Sequence, residues 1–314
     1  MTNVHICAFN ANEYQARLLD LFPDLHISIS EEHGVLEDGI QTCEVLLTFG
    51  PILTDEAFLK NTSLEWVQAL GTGVDGVVDR PAFPRDVTVT SMRGLHGPQM
   101  SELAFMMMLA FSRDFRRTLN NQAERNWSRW PPKILYGKTV GIWGVGKIAE
   151  DLAKRCKAFD MTVAGITSSP RQLENFDLMV SRERASGVLK DLDYLVLLMP
   201  YTPGTGGMIG ETVFRELKSS CYFINLARGK VVDDDALLNA LDAGEIAGAG
   251  LDVFAEEPLP TNSPFWSRED VIVTPHMGGL SESYVDQAMP VIEQNFRAFL
   301  AGKPDGMINR VEVS

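Results

Sequence analysis

The stretch KTVGIWGVGKIAEDLAKRC, from Lys138 to Cys156, constrains the architecture more than any other part of the chain. An apolar run rich in β-branched residues passes directly into a helical pattern, with Gly144, Gly146 and Ala149 spaced as G-x-G-x-x-A across the junction. A strand that feeds a helix with so little connecting chain leads to a parallel neighbour, because parallel strands need a crossover where antiparallel ones need only a hairpin. The same alternation recurs on both sides. Before it come VHICAF, a helical pattern from Glu13 to Leu21, LHISIS, CEVLLTFG, LEWVQALG and VTVTSM; after it come TVAGIT, LDYLVLLMP, CYFINLA, GAGLDVF and VIVTPH. Short apolar runs separated by helices predict parallel sheets covered on both faces. The 314 residues exceed what one core usually holds, so two α/β units are expected.

Between the two series the pattern predicts one long helix over Gln99 to Asn121, followed by an irregular arm in ERNWSRWPPKILYG, where paired prolines exclude regular structure. Met106 to Met108 in that helix read as core or subunit interface, the helix and arm are the expected homodimer contact, and Trp127 and Trp130 of the arm are expected to close the substrate pocket, from the partner subunit in one reading. A second long amphipathic helix is expected in SESYVDQAMPVIEQNFRAFLAGKP, stopped by Gly302 and Pro304 and returning the chain to the first unit.

Composition excludes several classes. Apolar residues make up 45% and charged residues 22% of the chain, ordinary values for a globular protein. No apolar run reaches the roughly 20 residues that span a bilayer, and the N-terminus lacks a basic, cleavable leader, so a cytoplasmic protein without membrane attachment is expected. The net charge of −14 opposes binding to nucleic acid. The four cysteines, at 7, 43, 156 and 221, are far apart in apolar segments and read as buried thiols. No cluster has metal-ligand spacing and no serine elbow occurs, so no metal site or acyl-transfer chemistry is expected.

The glycine turn carries its own chemistry. Gly144 permits a tight turn, Gly146 lets backbone approach a pyrophosphate, and Ala149 lets the helix pack closely on the strand. Gly144, Val145, Gly146, Lys147 and Ile148 are therefore candidate dinucleotide contacts at a helix N-terminus that favours anions. About twenty residues on, where NAD-selective sites place a carboxylate, the chain has Thr167, Ser168, Ser169 and, after Pro170, Arg171. Hydroxyls and a guanidinium suit the 2′-phosphate of NADP, with NAD as the alternative. The competing reading leaves Arg171 on a polar turn facing solvent.

Three later stretches place an arginine, a carboxylate and a histidine beyond consecutive strands: Arg228 in INLARGKVVDDDAL, Asp252 and Glu257 in GAGLDVFAEEPLP, and His276 in VIVTPHMGGL. Asp233 is the expected N-cap of the helix that follows Arg228. Ligands of open α/β sheets bind beyond the carboxyl ends of strands, so the three are expected to converge near the dinucleotide.

Together with GTGVDGV, PYTPGT and NLARG, these marks give the chain a resemblance, over essentially its whole length, to the D-isomer-specific 2-hydroxyacid dehydrogenase family, which includes glyoxylate/hydroxypyruvate reductases. The resemblance implies a Rossmann-type cofactor domain, residues 99–283, inserted in a flavodoxin-like substrate domain built from 1–98 and 284–314, with the active site between them. It implies that His276 donates the proton when a 2-oxoacid is reduced, that Glu257 orients the imidazole, and that Arg228 binds the substrate carboxylate and polarises the C2 carbonyl. It further implies that Asp252 holds the nicotinamide carboxamide and that Met199, Pro200, Tyr201, Thr205, Leu226, Ala227 and Gly278 line the cofactor site. On the substrate side it points to Phe49, Gly50 and the backbone of Thr72 and Gly73. His96, in RGLHGPQMSE, is left with a structural reading, and Arg93 in the same loop is either a second carboxylate clamp or an ordinary surface residue.

The expected activity is therefore reduction of a small 2-oxoacid by NADPH. The rival readings are an NAD-dependent 3-phosphoglycerate dehydrogenase and a non-catalytic dinucleotide sensor.

Overall fold

The computed structural model describes residues 1–30, 38–49 and 55–312; Gly50 lies outside them. In chain order the strands and helices begin with β1 (Asn3–Cys7), α1 (Ala11–Leu21), β2 (His26–Ser30), α2 (Asp38–Thr42), β3 (Val45–Thr48), α3 (Asp55–Lys60), β4 (Trp66–Ala69), β5 (Thr88–Thr90), α4 (Gly97–Arg113) and α5 (Phe115–Ala123). They continue with β6 (Thr139–Trp143), α6 (Lys147–Ala158), β7 (Thr162–Thr167), β8 (Leu178–Ser181), α7 (Ser186–Leu189), β9 (Tyr194–Leu197), α8 (Glu211–Glu216) and β10 (Tyr222–Asn225). Last come α9 (Asp234–Asp242), β11 (Gly248–Leu251), β12 (Val271–Val273), α10 (Tyr284–Leu300) and β13 (Arg310–Val311). The chain forms two compact units, Met1–His96 with Leu280–Ser314, and Gly97–Gly279.

In the first unit the sheet order is β2-β1-β3-β4-β5-β13, parallel except for the antiparallel β13. The order 2-1-3-4-5 is the flavodoxin-like doubly wound pattern. β3 and β4 are buried at every position, which explains their continuous apolar sequence, whereas the edge strand β2 is largely half-exposed and reads as the alternating HISIS. Helix α1 buries Ala11, Tyr14 and Leu18, one helical stripe. Helix α10 buries Tyr284, Ala288, Ile292 and Phe296 into the same core, with the Phe296 ring 4.8 Å from Trp66. A buried polar chain fixes that packing. Trp66 Nε1 donates to Thr90 Oγ1 (2.8 Å), Thr90 Oγ1 donates to Gln68 Oε1 (2.8 Å), and Asn295 Nδ2 donates to the same oxygen (2.9 Å). Buried polar groups left unpaired would each cost about 1–3 kcal/mol, so these partners specify one seat for the helix.

In the second unit all seven strands are parallel in the order β8-β7-β6-β9-β10-β11-β12. This is the Rossmann order 3-2-1-4-5-6 extended by one strand, and its direction of winding reverses between β6 and β9. Met107, Met108, Leu152 and Cys156 belong to one core cluster; Phe214, Phe223, Leu237 and Leu241 belong to another. Each such side chain fully buried contributes about 1.5–3 kcal/mol. Met106, by contrast, is exposed, and all four cysteines are buried free thiols.

Two features depart from expectation. The helix expected over Gln99 to Asn121 is broken: α4 ends at Arg113, Asp114 takes φ 53°, and its carboxylate accepts from the Arg117 amide to start α5. Aspartate tolerates the left-handed region and caps well, so one residue serves as both stop and start. Strands β8 and β13 have no counterpart among the expected runs; both are short and only partly buried. No helix among the described residues is long and apolar enough to cross a membrane.

Candidate active site

The glycine turn sits at the point where the second sheet reverses. Gly144 has φ +104°, and a Cβ there would collide with the backbone of Leu198 and Met199 beyond β9. Its amide donates to Ile166 O (2.9 Å), and the Leu198 amide donates to Trp143 O (2.8 Å), so the turn is tied to strands on both sides. Gly146 is the N-cap of α6 and faces open space, where a Cβ would meet nothing within 4 Å. The first N–H groups of a helix lack intrahelical acceptors, so an open glycine before them is a cradle for phosphate. Ala149 is fully buried, with Val145 and Ile148 packed against the same core. These residues fit the pyrophosphate of NADP or NAD.

At the end of β7, Thr167 is buried and Ser168 and Ser169 are exposed. Arg171 is about half exposed and leans on the first turn of α6, its Nη2 3.7 Å from Glu150 Oε1, while Lys147 Nζ lies 3.0 Å from Glu150 Oε2. One carboxylate thus gathers the two cations beside the turn. Met199, Leu226 and Ala227 are buried, Pro200 is exposed and Tyr201 is half-buried. Thr205 is buried and folds the intervening loop, donating to Pro200 O (3.1 Å) and accepting from the Thr202 amide (2.7 Å).

Arg228, Glu257 and His276 follow the neighbouring strands β10, β11 and β12. His276 Nδ1 lies 2.6 Å from Glu257 Oε2, and Glu257 Oε1 accepts from the Phe254 amide (2.9 Å). Burial pushes the Glu257 carboxyl up, but the hydrogen bond and charge of His276, the Phe254 amide and the Arg228 charge outweigh it and hold the group below its ordinary value. A carboxylate at Nδ1 leaves Nε2 as the outward nitrogen.

The sequence reading named Arg228 but not what aims it. Asn225, buried at the end of β10, accepts from the Ala227 amide (3.0 Å) and donates to Arg228 O (3.2 Å), and Arg228 Nη1 donates to Ala227 O (2.7 Å). A Cβ at Gly229 would overlap the Phe254 carbonyl and the Ala255 amide, so only glycine lets this turn press against the segment leading to Glu257. The signal was the glycine after Arg228, whose partner is remote in sequence. Asp233 caps α9, accepting from the Ala236 amide (3.0 Å).

Asp252 has a role beyond the expected one. Its buried carboxylate accepts from Thr274 Oγ1 (2.6 Å), the Met277 amide (3.0 Å) and the Gly278 amide (2.9 Å), and its carbonyl accepts from the His276 amide (2.8 Å). It therefore holds the whole loop that carries His276, which has φ 51°. Gly278 is buried and packed close to the same carboxylate.

In the first unit, Thr72 and Gly73 follow β4, and half-buried Phe49 lies 6.0 Å, ring to ring, from Tyr284. His96 is buried, bonding Thr72 Oγ1 through Nδ1 (2.7 Å) and the Tyr284 hydroxyl through Nε2 (2.9 Å). Arg93 is exposed. In the arm, Trp127 is exposed and Trp130 lies under the Arg117 guanidinium at 4.4 Å.

A Rossmann strand order, an open glycine turn at its switch point, and an arginine, a glutamate and a histidine beyond three neighbouring strands define a dinucleotide-dependent oxidoreductase. Residues 105–278 match the family described as D-isomer specific 2-hydroxyacid dehydrogenase, NAD binding domain, and the chain belongs to the D-isomer specific 2-hydroxyacid dehydrogenase family. It is an enzyme that uses NADP or NAD to interconvert a 2-oxoacid and its D-2-hydroxyacid. It is 31% identical to the glyoxylate reductase of Korarchaeum cryptofilum over 93% of this chain and 90% of that one. Among solved structures it is similar to a D-isomer specific 2-hydroxyacid dehydrogenase family protein from Aeromonas salmonicida (TM-score 0.90, 28% identity, 100% and 99% of the two chains). It is also similar to the NADPH-dependent glyoxylate/hydroxypyruvate reductase of Sinorhizobium meliloti, solved with NADP and sulfate (TM-score 0.85, 26% identity, 100% and 99%).

Proposed function

We propose that this enzyme reduces a small 2-oxoacid of the glyoxylate or hydroxypyruvate kind, with NADPH preferred over NADH. The observation that carries the reading is the pairing of His276 with Glu257 at 2.6 Å, beside an Arg228 turn that Gly229 seats against the Glu257 segment. The bound reduced nicotinamide supplies a hydride to C2 of the substrate. Arg228 pairs with the substrate carboxylate and places positive charge where the C2 oxygen gains electrons. His276 gives a proton from Nε2 to that oxygen, and Glu257 at Nδ1 orients the ring. Asp252 keeps the His276 loop in place and is also assigned to the nicotinamide carboxamide.

The second unit is the cofactor domain in this reading and the first the substrate domain, with the Thr72–Gly73 backbone assigned to the substrate carboxylate and Phe49 to its side chain. NADPH preference is supported by Thr167, Ser168, Ser169 and Arg171 standing where a ribose-binding carboxylate would repel a 2′-phosphate, and by the name of the Sinorhizobium relative. The exposed Met106, Phe115, Leu119 and Trp127 of α4, α5 and the arm support a homodimer contact there, and the enzyme is assigned to the cytoplasm. NADPH and NADH oxidation measured side by side with glyoxylate, hydroxypyruvate, pyruvate and branched 2-oxoacids tests the reading. Turnover of a small 2-oxoacid with lower KM for NADPH is expected. Tight dinucleotide binding without turnover of any of them would favour a sensor instead.

A further inference from the structure

We infer that His96 is a positioning residue for substrate capture: with Tyr284 it holds the Leu70–Thr72 turn in the shape that grips the 2-oxoacid carboxylate. The inference rests on the assignment of the Thr72–Gly73 backbone to that carboxylate. From the sequence His96 has only a structural role. The Tyr284 hydroxyl has one proton and donates it to the Leu70 carbonyl, which can only accept. Its contact with His96 Nε2 must therefore be one in which the imidazole donates. The other ring nitrogen, Nδ1, bonds the Thr72 hydroxyl at 2.7 Å.

Leu70 is held through its carbonyl by Tyr284, Gly71 through its carbonyl by the Met92 amide (2.9 Å), and Thr72 through its hydroxyl by His96. Three successive residues are thus anchored, two of them to the His96–Tyr284 pair, whose rings lie 5.5 Å apart and are both buried. A turn fixed in advance binds an anion without the cost of ordering it. Since Tyr284 is the first residue of α10, the same pair links the turn to the helix that closes the core of this unit.

The test uses His96→Ala, His96→Gln, Tyr284→Phe and Thr72→Val, with steady-state kinetics, NADPH binding by calorimetry and melting temperature on each. His96→Ala and Tyr284→Phe are expected to raise the KM for the 2-oxoacid about tenfold, the equivalent of one lost hydrogen bond, while kcat and NADPH affinity stay within about twofold. His96→Gln, which keeps a donor and an acceptor, should recover part of the loss, and Thr72→Val should add little to His96→Ala. An unchanged KM in folded His96→Ala and Tyr284→Phe, or equal damage to kcat and NADPH affinity, would overturn the inference. Gly73→Ala separates it from the assignment beneath it. If Gly73→Ala leaves the KM alone, the turn is not the carboxylate grip; if it raises the KM while the His96 and Tyr284 variants do not, only the positioning role falls.

Discussion

Glu257 Oε2 lies 2.6 Å from His276 Nδ1, and the other oxygen of the same carboxylate is held by the Phe254 amide. The pair joins the segments beyond β11 and β12, and one carboxylate both aims the imidazole and keeps its own negative charge. Replacing Glu257 with Gln keeps the shape and removes the charge. The reduction rate should fall by about 10²-fold, because the imidazole loses the charged acceptor that aims it. Stability carries a signature too. A carboxyl held below its ordinary 4.5 stabilises the fold above that value and loses the contribution as pH falls through the lower, folded value. Melting temperatures of both forms between about pH 6 and about pH 3 should converge at the acid end.

Gly229→Ala tests the seat of Arg228. The added methyl would overlap the Phe254 carbonyl and the Ala255 amide, so the two segments must part. A displacement of this order costs about 10²-fold in kcat/KM for the 2-oxoacid, a larger loss than that in dinucleotide affinity, because the glycine turn after β6 is untouched. A loss of kcat/KM no larger than the loss of dinucleotide affinity, or a lowered melting temperature of the same proportion, would show that Gly229 serves the fold and not the aim of Arg228.

Arg171→Ala should raise the KM for NADPH by about tenfold or more and leave that for NADH within about twofold, as expected for a lost charge-assisted contact to the 2′-phosphate. Its present neighbour is Glu150 at 3.7 Å, an exposed pair worth little by itself. An equal effect on the two cofactors would remove the reason for naming NADPH.

His5 predicts an acid weakness in the first unit. It is fully buried between Ser28 Oγ (2.8 Å) and Ser30 Oγ (2.9 Å), and burial pushes its imidazole down to about 4. The unfolded chain binds the proton at the ordinary 6.5 and the folded chain only near 4, so stability is fully present above 6.5 and about 3 kcal/mol is lost as pH falls through that window. The melting temperature should drop across it, and His5→Gln, which cannot titrate, should flatten the drop.

The parts of the molecule that were legible in the sequence are those encoded locally. A period of two passing into a helical period at Gly144 announces a crossover, and each of Arg228, Glu257 and His276 stands just beyond an apolar run. What was not legible depends on remote partners or on a single dihedral. Tyr284 meets His96 across 188 residues, and Gly229 needs no side chain only because Phe254 arrives beside it. Asp114 splits a continuous helical pattern by adopting φ 53°, which neither propensity nor period announces. Strand β8 escaped because LMVS is short, lies at the sheet edge and is only partly covered, so burial leaves little imprint on its composition.

The central claim is that His276 delivers the proton in a dinucleotide-dependent reduction of a small 2-oxoacid. It is tested most directly by His276→Ala, with NADPH oxidation in the presence of glyoxylate or hydroxypyruvate and NADPH binding by calorimetry measured on the same preparation. Turnover reduced by at least about 10²-fold with binding intact is the expected result. Wild-type turnover in the variant would contradict the account.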